Sequence, residues 1–184
     1  MKNRLYVIEG QDRCGKSTAV NLLRSKITNP KILVLHSSKP PKGVNPETWT
    51  RDHYEAVLNT ALYLVEAEGC DVIMDRSWLG ETVYGPLYRG VSIPQNELEQ
   101  SFLLEPDYIN RIKLLVLVDD ASSIASRSDG ESMSEDLTFL ENERALFKTA
   151  FANTSIVNKT LIDWEYEEFS KTALNDIVET LIND

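Results

Sequence analysis

The chain has little that would tie it to an oxidising compartment, a membrane or a metal cluster. It contains two cysteines, Cys14 and Cys70, too few for a disulfide framework. A reducing cytoplasm is therefore the expected setting. It contains two histidines, His36 and His53. They look isolated and show no metal-ligand spacing with the cysteines, which argues against bound zinc. No apolar run approaches the length of a membrane span. The N-terminal MKNRLYVIEG has two basic residues but no long apolar stretch and no cleavage site, so no signal peptide is read. There is no internal repeat, low-complexity tract or long linker, and no Ser-His-Asp order. Positive charge is also scarce. Lysine and arginine number 19 against 29 acidic residues, a formal net charge of −10. Proteins that live on a nucleic-acid backbone usually show a basic face. The balance disfavours a long nucleic acid as partner and favours a small molecule.

What remains is ordinary for a soluble globular protein: 42% hydrophobic and 26% charged residues over a length of 184, enough for one domain with a sizeable core. Apolar β-rich runs recur: RLYVIE (Arg4 to Glu9), KILVLH (Lys31 to His36), CDVIMD (Cys70 to Asp75) and KLLVLVD (Lys113 to Asp119). A fifth falls within Thr154 to Asp163, as TSIVN or TLID. These runs are apolar on both faces, the pattern of strands covered by helices on each side. Helical stretches lie between and after them: Lys16 to Lys26, Arg51 to Glu68, Leu137 to Phe151 and Tyr166 to Ile182. The second carries a stripe of Tyr54, Val57, Leu58, Ala61, Leu62 and Val65. The alternation predicts an α/β domain over 1–184, a three-layer α/β/α stack around a five-stranded parallel sheet. In such sheets ligands bind at the carboxyl ends of the strands.

The first strand end carries the strongest signal. Gly10-Gln11-Asp12-Arg13-Cys14-Gly15-Lys16-Ser17, followed by Thr18, satisfies G-x-x-x-x-G-K-[ST] between a strand and a helix. Glycines let successive N–H groups point inward, and the helix start adds its positive dipole end. Lys16 supplies a cation for β- and γ-phosphates, and Ser17 a hydroxyl for Mg²⁺. ATP with Mg²⁺ is the expected cofactor pair. At the third strand end, Asp75 can hold the metal or accept a proton, and Arg76 can clamp an anion with its fork of donors. Beyond them, Tyr84, Tyr88 and Arg89 suit base stacking and phosphate pairing, or core packing and a solvated surface. Trp78 reads as core. Asp119-Asp120 competes with Asp75 as a metal-binding strand end, but reads better as the N-cap of ASSIASR. Arg127 opens a polar segment, about 127–137, that suits a mobile lid. The acidic DWEYEEF (Asp163 to Phe169) reads as a solvated helix start.

Taken together, EG followed by DRxGKST resembles the thymidylate kinases, the type with arginine inside the P-loop. VIMDR is similar to that family's D-R motif. KLLVLVDDASSIASR resembles its fourth strand and following helix, with an arginine eight residues after the acid. FLENERALFKTAF resembles the helix after its lid, with Phe139, Arg144 and Phe147 at the family's aromatic and basic positions. The resemblance spans most of the chain. It implies that Asp12 binds the acceptor's 3′-hydroxyl, that Arg13 reaches the transferring phosphoryl group, that Arg76 holds the acceptor phosphate and that Asp75 sits near the metal. It also implies a homodimer, for which the stripe after Arg51 is a candidate interface as well as candidate core. The other type of thymidylate kinase carries its catalytic arginine in the lid, and Ser128 to Asp136 contains none. Two departures fall on the acceptor side. HSSKPPKG stands where the family has an arginine-bearing motif, leaving Lys39 or Lys42 as point charges, and YGPLYRG is not the family's sequence after D-R. The reading that follows is transfer of the γ-phosphoryl of ATP to a deoxynucleoside monophosphate, dTMP or a modified pyrimidine analogue favoured. The alternatives are a deoxynucleoside kinase with Asp75 as base, a kinase acting on a nucleotide within DNA, and a non-catalytic P-loop binding module.

Overall fold

A computed structural model describes residues 3–100, 106–127, 134–165 and 170–183. Five strands form one parallel sheet: β1 (Leu5–Gly10), β2 (Ile32–His36), β3 (Asp71–Asp75), β4 (Ile112–Val118) and β5 (Lys159–Asp163). Their order across the sheet is β2-β3-β1-β4-β5. β1 lies in the middle, with Leu5 beside Val72 on one side and Ile112 on the other. Every residue of β1 and β4 is buried, which is why these runs carry no polar alternation. The fifth strand is KTLID; TSIVN lies before it, outside the sheet.

The helices are α1 (Lys16–Lys26), α2 (Pro46–Glu66), α3 (Trp78–Tyr84), α4 (Gln95–Leu98), α5 (Pro106–Ile109), α6 (Ala121–Ser126), α7 (Leu137–Asn153) and α8 (Lys171–Asn183), with a π-helical turn at Gly85–Arg89. α2 starts five residues before the expected Arg51. Asn45 caps it by accepting from the Thr48 N–H at 3.0 Å, and Pro46 fits the first turn. The stripe itself packs on the sheet: Tyr54, Leu58, Ala61, Leu62 and Val65 join Leu5, Val72 and Leu114 in one core, with Trp78 from α3 and Phe147 from α7. The stripe is therefore core within the chain. A second core on the opposite face joins Ala19, Val20 and Leu23 of α1 to Leu174, Val178 and Leu181 of α8.

Two expectations fail for physical reasons. β2 is an edge strand, so its apolar residues are not all covered; Leu33 and Val34 remain 41% and 36% exposed. DWEYEEF does not begin as a solvated helix, because Asp163 ends β5 and the next residue, Trp164, is buried. Its residues 166–169, and residues 128–133 of the expected lid, lie outside the described residues. Among the described residues, no helix is long and apolar enough to cross a membrane.

Candidate functional site

The loop after β1 must leave a buried strand and enter α1 within a few residues. Gly10 turns at φ 134°, and a Cβ there would stand 1.9 Å from the Leu117 carbonyl oxygen on the neighbouring strand. No residue with a side chain fits that contact. Arg13 (φ 65°) and Gly15 (φ 92°) complete the turn in left-handed conformations, and Gly15 is the N-cap of α1. Backbone strain at a non-glycine residue is concentrated at working sites, and Arg76, at φ 71°, is the other such residue among those described. Ser17 is exposed and Thr18 half-buried at the start of α1. Cys14 is buried, and burial pushes its thiol up to about 12, so it is a packing residue.

The two strand ends meet through charge. Lys16 lies over the loop, donating to the carbonyls of Gly10 at 2.8 Å and Gln11 at 2.6 Å, with the Asp12 carboxylate at 3.4 Å. The same Asp12 oxygen accepts from Arg76 Nη2 at 3.2 Å. Arg13 points elsewhere. Its Nη1 donates to the Ile124 carbonyl at 3.1 Å at the end of α6, and its Nη2 stands 3.8 Å from Glu135, just before α7. Asp75 is turned to the edge strand, where parallel pairing sets His36 beside it; His36 Nδ1 lies 3.0 Å from the carboxylate. His36 is thus not isolated. Asp120 caps α6 by accepting from the Ser123 N–H at 3.0 Å, while the buried Asp119 takes Arg127 as an ion pair. Gln11 ties these parts together, accepting from the Asp119 N–H at 3.0 Å and donating to the Leu140 carbonyl at 2.8 Å.

A cavity of about 250 Å³ opens beside this loop. Asp12, Arg76, the exposed Lys39, Tyr54, Glu81 and Arg89 are among the residues that line it. Lys42 is not among its lining residues. Tyr84 completes the wall, with its ring edge-on to Phe147 at 5.6 Å. Tyr88 stacks on Phe139 at 5.9 Å and donates its hydroxyl to Glu143. Arg89 is half-buried and paired with Glu81 rather than held out in solvent.

Two carboxylates missing from the sequence reading shape the site. Glu9, the penultimate residue of β1, is 1% exposed. It accepts the N–H of Gly10 at 3.1 Å, of Gly80 at 3.2 Å and of Ser77, so it locks the P-loop to the start of α3. Burial raises its pKa, against the pull of those N–H donors. Gly80 makes room for it, since a Cβ there would stand 2.9 Å from the carboxylate. Glu143, buried in α7, faces Tyr88. The signal for Glu9 was an acid at the end of an otherwise apolar strand. A lone acid in a helix carries no signal for Glu143.

The geometry has counterparts among solved structures. No protein-family model matches the chain, and no curated protein matches it in sequence. The YorR protein of Bacillus subtilis, solved in complex with phosphorylated GDP, superposes with a TM-score of 0.68 at 20% identity, over 97% of this chain and 95% of that one. The chain has the P-loop nucleotide kinase fold. Thymidylate kinase from Candida albicans follows at a TM-score of 0.61 and 21% identity, covering 99% and 93%. Deoxyadenosine kinase from M. mycoides with bound dCTP gives 0.53 at 16%, covering 97% and 98%. The loop after β1 and the ends of β3 and β4 lie at the same edge of the parallel sheet, and they carry Asp12, Lys16, Arg76 and Asp119.

Proposed function

We propose that the chain is a nucleotide kinase that moves the γ-phosphoryl group of ATP to a deoxynucleoside monophosphate, with dTMP or a modified pyrimidine analogue favoured. One observation carries this reading. Asp12 joins Lys16 of the P-loop to Arg76 of the cavity, so a phosphate cradle and a second, cation-lined pocket share one carboxylate. Phosphoryl transfer asks the protein mainly for positioning and charge neutralisation. The loop N–H groups and Lys16 take the triphosphate. Arg76 takes the acceptor phosphate, and Asp12 the acceptor's sugar hydroxyl. Lys39, exposed at the cavity mouth, supplies a point charge where a guanidinium fork is absent. Arg13, which here donates to the Ile124 carbonyl on the α6 side, would turn from that carbonyl to reach the transferring group.

The residues suit a Mg²⁺ ion that arrives with the nucleotide. Such an ion keeps phosphate and water ligands and needs one or two protein oxygens. Ser17, exposed at the first turn of α1, provides a hydroxyl. Mg²⁺ would neutralise charge on the phosphates. Asp75, bonded to His36, would hold the metal through a water ligand.

A nucleoside acceptor is the second reading. Glu9 lines the cavity, and burial raises its pKa, so it is better placed than Asp75 to take a proton from a hydroxyl. Labelled ATP with Mg²⁺ and a panel of nucleosides, nucleoside monophosphates and oligonucleotides tests both. Label is expected on monophosphates. Label only on nucleosides selects the second reading, and label only on oligonucleotides overturns both. Tight ATP binding with no transfer marks a binding module.

A further inference from the structure

We propose that Glu81 and Arg89 form a single base-reading pair in the acceptor pocket. The carboxylate accepts an N–H from the Watson–Crick edge of the acceptor base, and the guanidinium donates to the carbonyl oxygen or ring nitrogen beside it. This deepens the proposed function and rests on it for the acceptor being a nucleotide.

The pair is made by an irregularity in the helix. Glu81 and Arg89 are eight residues apart, which on a regular α-helix puts them about 80° out of line. The π turn at Gly85–Arg89 changes that. Its closing N–H, from Gly90, reaches back five residues to the Gly85 carbonyl. A turn of this width advances each residue through a smaller angle and brings Arg89 back over Glu81. Pro86 helps start it, because proline has no N–H to continue the α ladder. π turns inside helices are found disproportionately at working sites.

Placement and partners both point to a ligand. The Glu81 and Arg89 side chains are only 9% and 16% exposed, yet both line the cavity. Burying such a pair costs solvation, and the structure sets it in a pocket wall rather than in either core. Arg89 carries five donors in its fork, and Glu81 holds one of its two terminal nitrogens, Nη2. Burial raises the pKa of Glu81 and the charge of Arg89 lowers it. The two residues also share a wall with the phosphate-clamping arginine: Arg76 stands just before the Ser77 cap of α3, Glu81 lies in the first turn of that helix, and both line the cavity. Two separate ion pairs, Asp12 with Arg76 and Glu81 with Arg89, therefore line the same cavity.

A site built from fixed donors and acceptors rejects a ligand that cannot complete them. The test uses the four common deoxynucleoside monophosphates, and the four nucleosides in parallel, with wild type, Glu81→Gln and Arg89→Gln. In either variant the ratio of kcat/KM between the preferred and the poorest base is expected to fall towards one, from a loss of about 10- to 100-fold on the preferred base. A uniform loss that preserves the wild-type ratio overturns the proposal, because it marks a structural ion pair. A second arm needs only the wild-type protein. Methylating the Watson–Crick N–H of the preferred base is expected to raise KM by a similar factor; an unchanged KM overturns the proposal. If nucleosides alone accept label, the monophosphate reading fails, while the ratios among nucleosides still decide the role of Glu81 and Arg89.

Discussion

Glu143 shows what burial does to a single carboxylate. It is 3% exposed, and its carboxylate accepts from the Tyr88 hydroxyl. Burial, reinforced by the negative charge of Asp12, pushes its pKa up to about 7, although the Tyr88 hydrogen bond and the charges of Lys16 and Arg13 pull the other way. In an unfolded chain the same group titrates near 4.3. Between those two values the folded protein keeps a proton that the unfolded chain releases. The stabilisation from that difference is complete at low pH and is lost as pH rises through the window. Glutamine imitates the protonated form at every pH. Glu143→Gln is expected to match wild type near pH 4, below the window, and to be more stable by about 1–3 kcal/mol at pH 8. Urea denaturation at the two pH values measures it. Glu9 and Glu81, whose pKa values also rise, are present in both proteins and cancel in the difference. An identical gap at both pH values would mean that the carboxylate does not titrate in this range.

At the scale of elements, β5 does more than close the sheet. The residue after it, Trp164, donates its indole N–H to the Cys14 carbonyl inside the P-loop at 3.1 Å. Asp163, its last residue, receives Arg144 of α7 at 2.8 Å, and Lys148 pairs with the same carboxylate. The P-loop is therefore braced from a strand about 150 positions away in sequence. Trp164→Phe keeps most of the ring and removes the donor. Its expected cost is about 1–2 kcal/mol in urea denaturation, together with weaker MgATP binding by calorimetry and a smaller change in acceptor KM. Weakened acceptor binding with normal ATP affinity would contradict the bracing role. The contact also marks where sequence reading ends. The P-loop was legible because its signal is local: glycines, lysine and serine at fixed spacing between a strand and a helix. Lys16–Lys26 is helical as expected. Trp164 with Cys14, or His36 with Asp75, are neighbours only through strand order and register, which no local pattern encodes. Glu81 and Arg89 are hidden more thoroughly, since the spacing that unites them is wrong for an α-helix and right only across the π turn.

The whole molecule keeps its chemistry at one end of the sheet and leaves a weakness along one side. β2 is the outermost strand next to β3, and its residues Ile32–His36 contain no proline and no acidic or lysine side chain. Leu33 and Val34 are partly exposed on it. An apolar edge strand presents unpaired N–H and C=O groups to any other chain, and natural proteins commonly blunt such edges with lysine. The net charge of −10 opposes association in general but places no charge on this strand. Val34→Lys is therefore expected to slow aggregation on heating, followed by light scattering, while moving the unfolding free energy by less than about 0.5 kcal/mol. The substitution also changes net charge, so a control is needed. Tyr63, 58% exposed on α2, takes the same replacement away from the edge. Tyr63→Lys makes the same change in charge and removes a larger exposed apolar surface. If the edge is the seed, only Val34→Lys slows aggregation. Equal slowing by both would assign the effect to charge and surface hydrophobicity, and β2 would lose its special status.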